Sequence, residues 1–238
     1  MSSRKGQKSS NRVVREQLAR ERRRRRTLWT SVTAVLVLVI AGGIGWVVWS
    51  SQRPTSFTAP AGATADGSGV ALGDGPVQID VYEDFQCPVC KQFEQQSGAT
   101  LDQLVANHKV KVIYHPVAYL NRFSSTQYST RSSAASGCAA QNGKYREYAR
   151  ALFEQQPPEG SPGLTNDQLV SIGTQVGLDQ SGFASCVRDQ TYKAWSDHVT
   201  AAASKANISG TPTVQVAGQQ VQSPTPDNIN AAVQAAGK

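Results

Sequence analysis

The sequence predicts a layered α/β domain that carries an all-α insertion and stands behind a single membrane-spanning helix. Three observations support this. Leu28 to Trp49 is a run of 22 residues without a charge. Residues 77–114 read as strand, helix and strand, and residues 213–221 return to β. Between them, residues 125–206 hold few strand signals and several Ala-rich helical stretches, the pattern of an insertion into a layered fold.

The charge is uneven. Eleven of the 24 basic residues and two of the 17 acidic ones lie in residues 1–27, a balance of +9, and the remaining 211 residues carry 13 basic and 15 acidic groups, or −2. A nucleic-acid-binding globule needs its positive charge on the folded face, so nucleic acid is not an expected partner. Mean hydropathy of −0.37 excludes a polytopic membrane protein and leaves room for one span.

As a helix, the uncharged run would measure roughly 33 Å, enough for a hydrocarbon core of about 30 Å. Trp29 at one end and Trp46 and Trp49 at the other suit the two interfaces. Arg22 to Arg26 abut one end and Arg53 stands alone beyond the other. The positive-inside rule then puts the N-terminus in the cytoplasm and the rest of the chain outside. A cleaved signal peptide would have a shorter apolar region followed by a small-x-small site, whereas Trp49-Ser50-Ser51-Gln52 follows this one. The expected organisation is a basic cytoplasmic tail (1–27), a transmembrane helix (28–50) acting as an uncleaved signal-anchor, a linker (51–68) and an outer domain (69–238) with its helical insertion at about 120–206. Fourteen of the 18 linker residues are Gly, Ala, Ser, Thr or Pro, a composition that predicts a flexible tether.

Within the outer domain, Val77 to Tyr82 alternates apolar and polar residues, a strand signal. A helical stretch spans Lys91 to His108, and Lys109 to Tyr114 is a second strand. Helical stretches follow around Ala134 to Phe153, Asn166 to Val176 and Gln180 to Ala206. Thr213 to Val216 and Gln219 to Val221 form a hairpin about Ala217-Gly218, and Pro226 to Ala236 is a closing helix with Thr225 at its N-cap and Pro226 at N1.

Four cysteines lie in the segment placed outside the cytoplasm, where disulfides persist. Cys87-Pro88-Val89-Cys90 is a C-x-x-C directly after a strand and at the start of a helix. Free N–H groups and the positive end of the helix dipole favour a thiolate there, and Pro88 loses no intrahelical partner. Cys87 is the expected exposed nucleophile and Cys90 the shielded resolving thiol, the pair serving as the redox centre without another cofactor. A structural bridge and half of a metal site are the competing readings. Zinc would need a second ligand pair, but Cys138 and Cys186 stand 48 apart and His108, His115 and His198 are scattered, so no metal is expected. Among the three connectivities, Cys87–Cys90 with Cys138–Cys186 keeps the redox pair intact. The second bridge is a structural clasp or, alternatively, an electron relay.

With Val81-Tyr82-Glu83-Asp84-Phe85-Gln86-Cys87-Pro88-Val89-Cys90-Lys91 in view, the sequence resembles the DsbA-like thiol:disulfide oxidoreductases of the thioredoxin superfamily. Val70-Ala71-Leu72-Gly73 looks like that family's lead-in strand. Cys138 to Lys144 and Ala151-Leu152-Phe153-Glu154 look like its helical insertion, and Gly210-Thr211-Pro212-Thr213 like its cis-proline loop. The resemblance covers most of residues 69–238 and implies a thioredoxin fold with an inserted α-helical domain. It makes Pro212 a cis-proline beside the disulfide, with Thr211 offering backbone groups to an extended substrate.

By the same resemblance the protein introduces disulfides into reduced secreted or cell-envelope proteins and is reoxidised by a membrane oxidase of the DsbB or vitamin K epoxide reductase type. Pro88-Val89, in place of the Gly-Pro of reducing thioredoxins, favours the oxidising direction. One departure concerns the acid that many thioredoxin-like proteins carry six residues before the first cysteine. That position is Val81 here, and Glu83, on the same strand parity, is the candidate substitute for handling the resolving thiol's proton. His115, at the end of the second strand, is either near the site or structural. The alternatives in function are a reductase, for example in cytochrome c maturation, and a copper-binding chaperone using Cys87 and Cys90.

Overall fold

The computed structural model describes residues 38–43, 45–46 and 56–237. The chain divides into two compact units, Met1–Pro54 and Thr55–Lys238. In the first, the described residues 38–43 and 45–46 are helical. The basic tail 1–27, the rest of the expected span 28–50 and residues 51–55 of the expected linker lie outside the described residues. Among the described residues no helix is long and apolar enough to cross a membrane.

The second unit is built on a five-stranded sheet: β1 (Val70–Leu72), β2 (Val77–Glu83), β3 (Val110–Pro116), β4 (Thr213–Val216) and β5 (Gln219–Gln220), in the order β1-β3-β2-β4-β5. β2 and β3 run parallel, in register from Val77↔Val110 to Glu83↔Pro116, and the other pairings are antiparallel. Helix α1 (Pro88–Ala106) makes the crossover between β2 and β3, and α7 (Pro226–Ala236) closes the chain. Thr225 caps α7 by accepting a hydrogen bond from the Asn228 amide, with Pro226 in the first turn. Between β3 and β4 lie a short 3-10 helix (Tyr119–Phe123) and five α-helices: α2 (Tyr128–Gln141), α3 (Tyr145–Glu154), α4 (Asn166–Gln175), α5 (Gln180–Arg188) and α6 (Lys193–Lys205). This is the α/β domain with an all-α insertion that the residue pattern predicts.

Two local expectations change. Val77 to Tyr82 is a strand as the alternation predicts, but its polar positions do not face water: every residue of β2 except Gln78 is buried. β2 is central in the sheet, so its polar residues are paired inside instead: Asp80 accepts from the Gln78 side chain and meets His115 Nε2 at 3.1 Å. The stretch 56–68, expected to be flexible, is packed against the domain. The Trp195 indole donates to the Gly67 carbonyl at 2.8 Å, the His198 ring stacks on Phe57 at 4.0 Å, and Ala63 bridges to Val70. Its small residues allow the chain to lie close, while Phe57 and Trp195 supply the apolar area that composition alone hid.

Helix α2 is the centre of the insertion and packs against α3, α4, α5 and α6. Most of its residues are Ser, Ala, Gly or Thr, and nearly all are buried. Its hydroxyls are satisfied locally, Ser132 donating to the Tyr128 carbonyl and Ser136 to that of Ser133, while Ser133 reaches the Pro116 carbonyl at 2.6 Å. At Gly137 a Cβ would come within 3.0 Å of Tyr192 and Trp195, so only glycine allows α6 this close. Cys138 in α2 is bonded to Cys186 in α5.

Candidate active site

The site forms where β2 stops. The Asp84 carboxylate accepts from the Gln86 and Leu120 amides, each at 2.9 Å, and the Asp84 carbonyl accepts from the Cys87 amide at 2.9 Å. This turn delivers Cys87 as the N-cap of α1, with its own carbonyl accepting from the Cys90 and Lys91 amides. Pro88 occupies the first turn, where no donor is missed. The pairing Tyr82↔Thr213 sets the loop before β4 beside the end of β2. Consequently the Cys87 thiol donates to the Thr211 carbonyl at 3.5 Å, and the Thr211–Pro212 peptide is cis. The structure thus brings Cys87, Cys90, Thr211 and Pro212 together.

Exposure differs from expectation at one point. Cys90 is 0% exposed, but Cys87, expected to stand open, is only 7% exposed. Pro88 and Val89 are the exposed residues of the motif, Val89 at 54%. Contact with the Thr211–Pro212 loop, which the strand pairing imposes, shields the sulfur. A groove of about 160 Å³ opens alongside, lined in part by Val89, Phe93, Pro212 and Pro224.

The two thiols are electrostatically unequal. The Cys90 thiol hydrogen-bonded to the Cys87 sulfur lowers the Cys87 pKa from 9.0 to about 6. Burial opposes this, while the Thr211 side chain and the Cys90 and Val89 amides reinforce it. Cys90 is pushed well above its ordinary value, first by burial, then by its bond to Cys87 and by the charge of Glu83. The pair therefore holds one thiolate and one protonated thiol at neutral pH.

Glu83 lies on the Val81 side of β2, as strand parity requires, and is 3% exposed. Burial raises its pKa well above the usual range. The nearby Glu94 charge adds to this, Arg146 opposes it, and Cys87 contributes last. One of its carboxylate oxygens has no hydrogen-bond partner among the described residues. Asp84 is fully buried, and burial raises its pKa to about 6 against the pull of the amides it accepts from. Deeper in, Arg146 joins Glu94 and Asp102, each at 2.6 Å, over the Tyr114 ring.

Three site-shaping features were not read from sequence: the Glu94–Arg146 pair, the turn-forming role of Asp84, and Gln156, whose side chain reaches the Phe85 and Cys87 carbonyls. Asp84 alone carried a signal, as an acid placed just after a strand and before the helix. His115 takes the structural alternative: it contacts the Ser68 carbonyl and Asp80 and stacks on Tyr82. Among the described residues no group of three or more His, Cys, Asp or Glu is arranged to hold a metal.

A family model described as Thioredoxin matches residues 67–235. The serine/threonine-protein kinase PknE of Mycobacterium tuberculosis is 30% identical over 196 residues, which are 73% of this chain and 34% of the kinase. The chain spans about a third of the length of the curated relatives it matches. Among solved structures, reduced DsbA from M. tuberculosis is 28% identical with a TM-score of 0.61, covering 74% of this chain and 91% of that one. The MdbA thiol-disulfide oxidoreductase of Actinomyces oris, at 21% identity and a TM-score of 0.63 over 76% of this chain and 93% of its own, shares the fold.

Proposed function

Since the chain belongs to the thioredoxin family, as a DsbA-like thiol:disulfide oxidoreductase, we propose that it oxidises dithiols of secreted or cell-envelope proteins outside the cytoplasm. The observation that carries the direction is the pKa split at the motif, because a stabilised Cys87 thiolate is a good leaving group and makes the disulfide oxidising. A substrate thiolate attacks Cys87 and breaks the Cys87–Cys90 bond, and Cys90 leaves with the electron pair. A second substrate thiolate then attacks the mixed disulfide, releasing the Cys87 thiolate and an oxidised substrate. Two electrons pass to the cysteine pair, which is the only redox group this reading needs. A membrane oxidase of the DsbB or vitamin K epoxide reductase type would take them on.

Thr211 offers backbone groups to an extended substrate, and the groove beside Val89 and Pro212 receives its side chains. Cys90 leaves into a buried site and takes up a proton there. Glu83, whose pKa burial raises well above the usual carboxylate range, is the group proposed to exchange that proton with Cys90 in both directions. The anchor reading is supported by the exposed apolar side chains Leu38, Val39, Ile40 and Trp46 in the helical part of the first unit, together with the flanking arginines.

The test is oxidation of a reduced dithiol protein by the disulfide form. Cys87→Ser abolishes it, and Cys90→Ser stops it at a mixed disulfide that survives non-reducing electrophoresis. Glu83→Gln slows it about tenfold at pH 7, less than a typical general-acid loss because a thiolate leaves without full protonation. Efficient reduction of substrate disulfides, with reduced substrate left untouched, would make the reductase the correct reading. For location, a reporter active only outside the cytoplasm is expected to work when fused after Lys238, and activity of a cytoplasmic reporter alone would overturn the topology.

A further inference from the structure

The end of α3 meets the motif from both sides. Phe153 packs on Phe85 with ring centroids 5.1 Å apart, and Lys91 Nζ donates to the Glu154 carbonyl at 3.3 Å. Just beyond, Gln156 Nε2 donates to the Phe85 carbonyl at 2.9 Å and to the Cys87 carbonyl at 3.0 Å. We propose that Gln156 is a positioning residue through which the helical insertion tunes the nucleophile. Its amide holds the Phe85–Cys87 segment so that the Val89 and Cys90 amides point at the sulfur, and it compensates the carbonyl dipole next to the thiolate.

Chemistry fixes the residue type. Two carbonyls facing one side chain demand a group with two hydrogens to give, which an amide nitrogen provides and an ionised carboxylate does not. The Phe85 carbonyl gains a donor there, and the Cys87 carbonyl receives a third beside the Cys90 and Lys91 amides. Gln156 is only partly buried and lies outside the helices, so it can be replaced without opening the core. The inference deepens the proposed function and rests on Cys87 being the nucleophile, but its readout requires neither a substrate nor a direction of electron flow.

In the test, the rate of Cys87 alkylation in the reduced full-length chain is followed from pH 4 to pH 9. Gln156→Met keeps the length of the stem and removes the donor. It is expected to raise the Cys87 pKa by about half a unit, roughly a threefold loss of thiolate below pH 6, with rates converging on the parent above pH 8. Gln156→Glu is expected to raise it further once ionised, because it adds negative charge beside the thiolate. A purely structural role would lower the melting temperature and leave the pH profile in place. Parent-like profiles in either folded variant overturn the proposal, and Gln156→Glu, isosteric with the parent, gives the reading if Gln156→Met does not fold. Failure of substrate oxidation with a shifted alkylation profile would count against the oxidase reading alone.

Discussion

The dithiol form of the catalytic domain is expected to resist denaturant better than its disulfide form, by a margin that widens with pH. The Cys87 pKa is lowered on folding from 9.0 to about 6. A lowered pKa contributes stability that is fully present above the unfolded value and lost as pH falls through the folded one. Between pH 6 and 9 the thiolate's contribution to that margin should therefore grow by up to about 1.4 kcal/mol per unit, to at most about 1.4 kcal/mol at pH 7 and about 4 kcal/mol near pH 9 before solvent screening at the sulfur reduces it.

Cys90 sets the upper limit of that window. Its pKa is raised on folding, so it draws stability away once the unfolded thiol ionises, above about pH 9. Glu83 and Asp84 occur in both redox forms, so their own titrations largely cancel in the comparison. By linkage, the margin at pH 7 corresponds to a potential about 30 mV more oxidising than that of the unfolded pair. Denaturant titrations of both forms at several pH values, with the Cys138–Cys186 bridge intact, supply the check. A margin that stays flat from pH 6 to 9, or a more stable disulfide form, would remove the physical basis of the oxidase reading.

Replacing Cys138 and Cys186 together by Ala is expected to cost about 4 kcal/mol of stability, because the bridge closes a loop of about 49 residues in the unfolded chain. That is a large part of the 5–15 kcal/mol typical of a domain. The Cys87 alkylation profile and the potential should nonetheless stay at parent values. The bridge joins α2 to α5, whereas the partners of the Cys87 sulfur and carbonyl come from Val89, Cys90, Lys91, Thr211 and Gln156. Guanidinium unfolding and a redox titration of the double variant separate the two roles. A folded double variant with turnover largely lost would identify an electron relay instead of a clasp.

Legibility followed the range of the interactions involved. Cys87, Pro88 and Cys90 could be read because a C-x-x-C between a strand and a helix is local, and the capped start of α7 at Thr225–Pro226 is equally local. Thr211 and Pro212 were placed only through the family resemblance, since a Thr-Pro pair by itself is an ordinary turn. Gln156 carried no signal at all. It lies 69 residues from Cys87, and glutamine after a helix has no preference that would mark it. The Ala-rich second half of α2, from Ala134, read as a helix, but its Ser-rich first half did not, and neither read as the buried centre of the insertion, because its burial comes from small residues that let neighbours approach closely.

The sequence by itself determined most of the order of strands and helices, the position of the insertion, the redox motif and the concentration of charge in residues 1–27. These depend on local periodicity, caps and composition, which each segment carries within itself. β1, in contrast, came from the family resemblance, and the stretches 134–153 and 180–206 each proved to be two helices. Only the tertiary structure decided that β2 is buried on both faces, that Glu83 and Asp84 are held inside the protein, that Cys87 is shielded by the Thr211–Pro212 loop, and that residues 56–68 are packed down. Each of these depends on which distant segment covers a given face. Desolvation and hydrogen-bond partners, and with them the pKa values that govern the chemistry, are set by that covering.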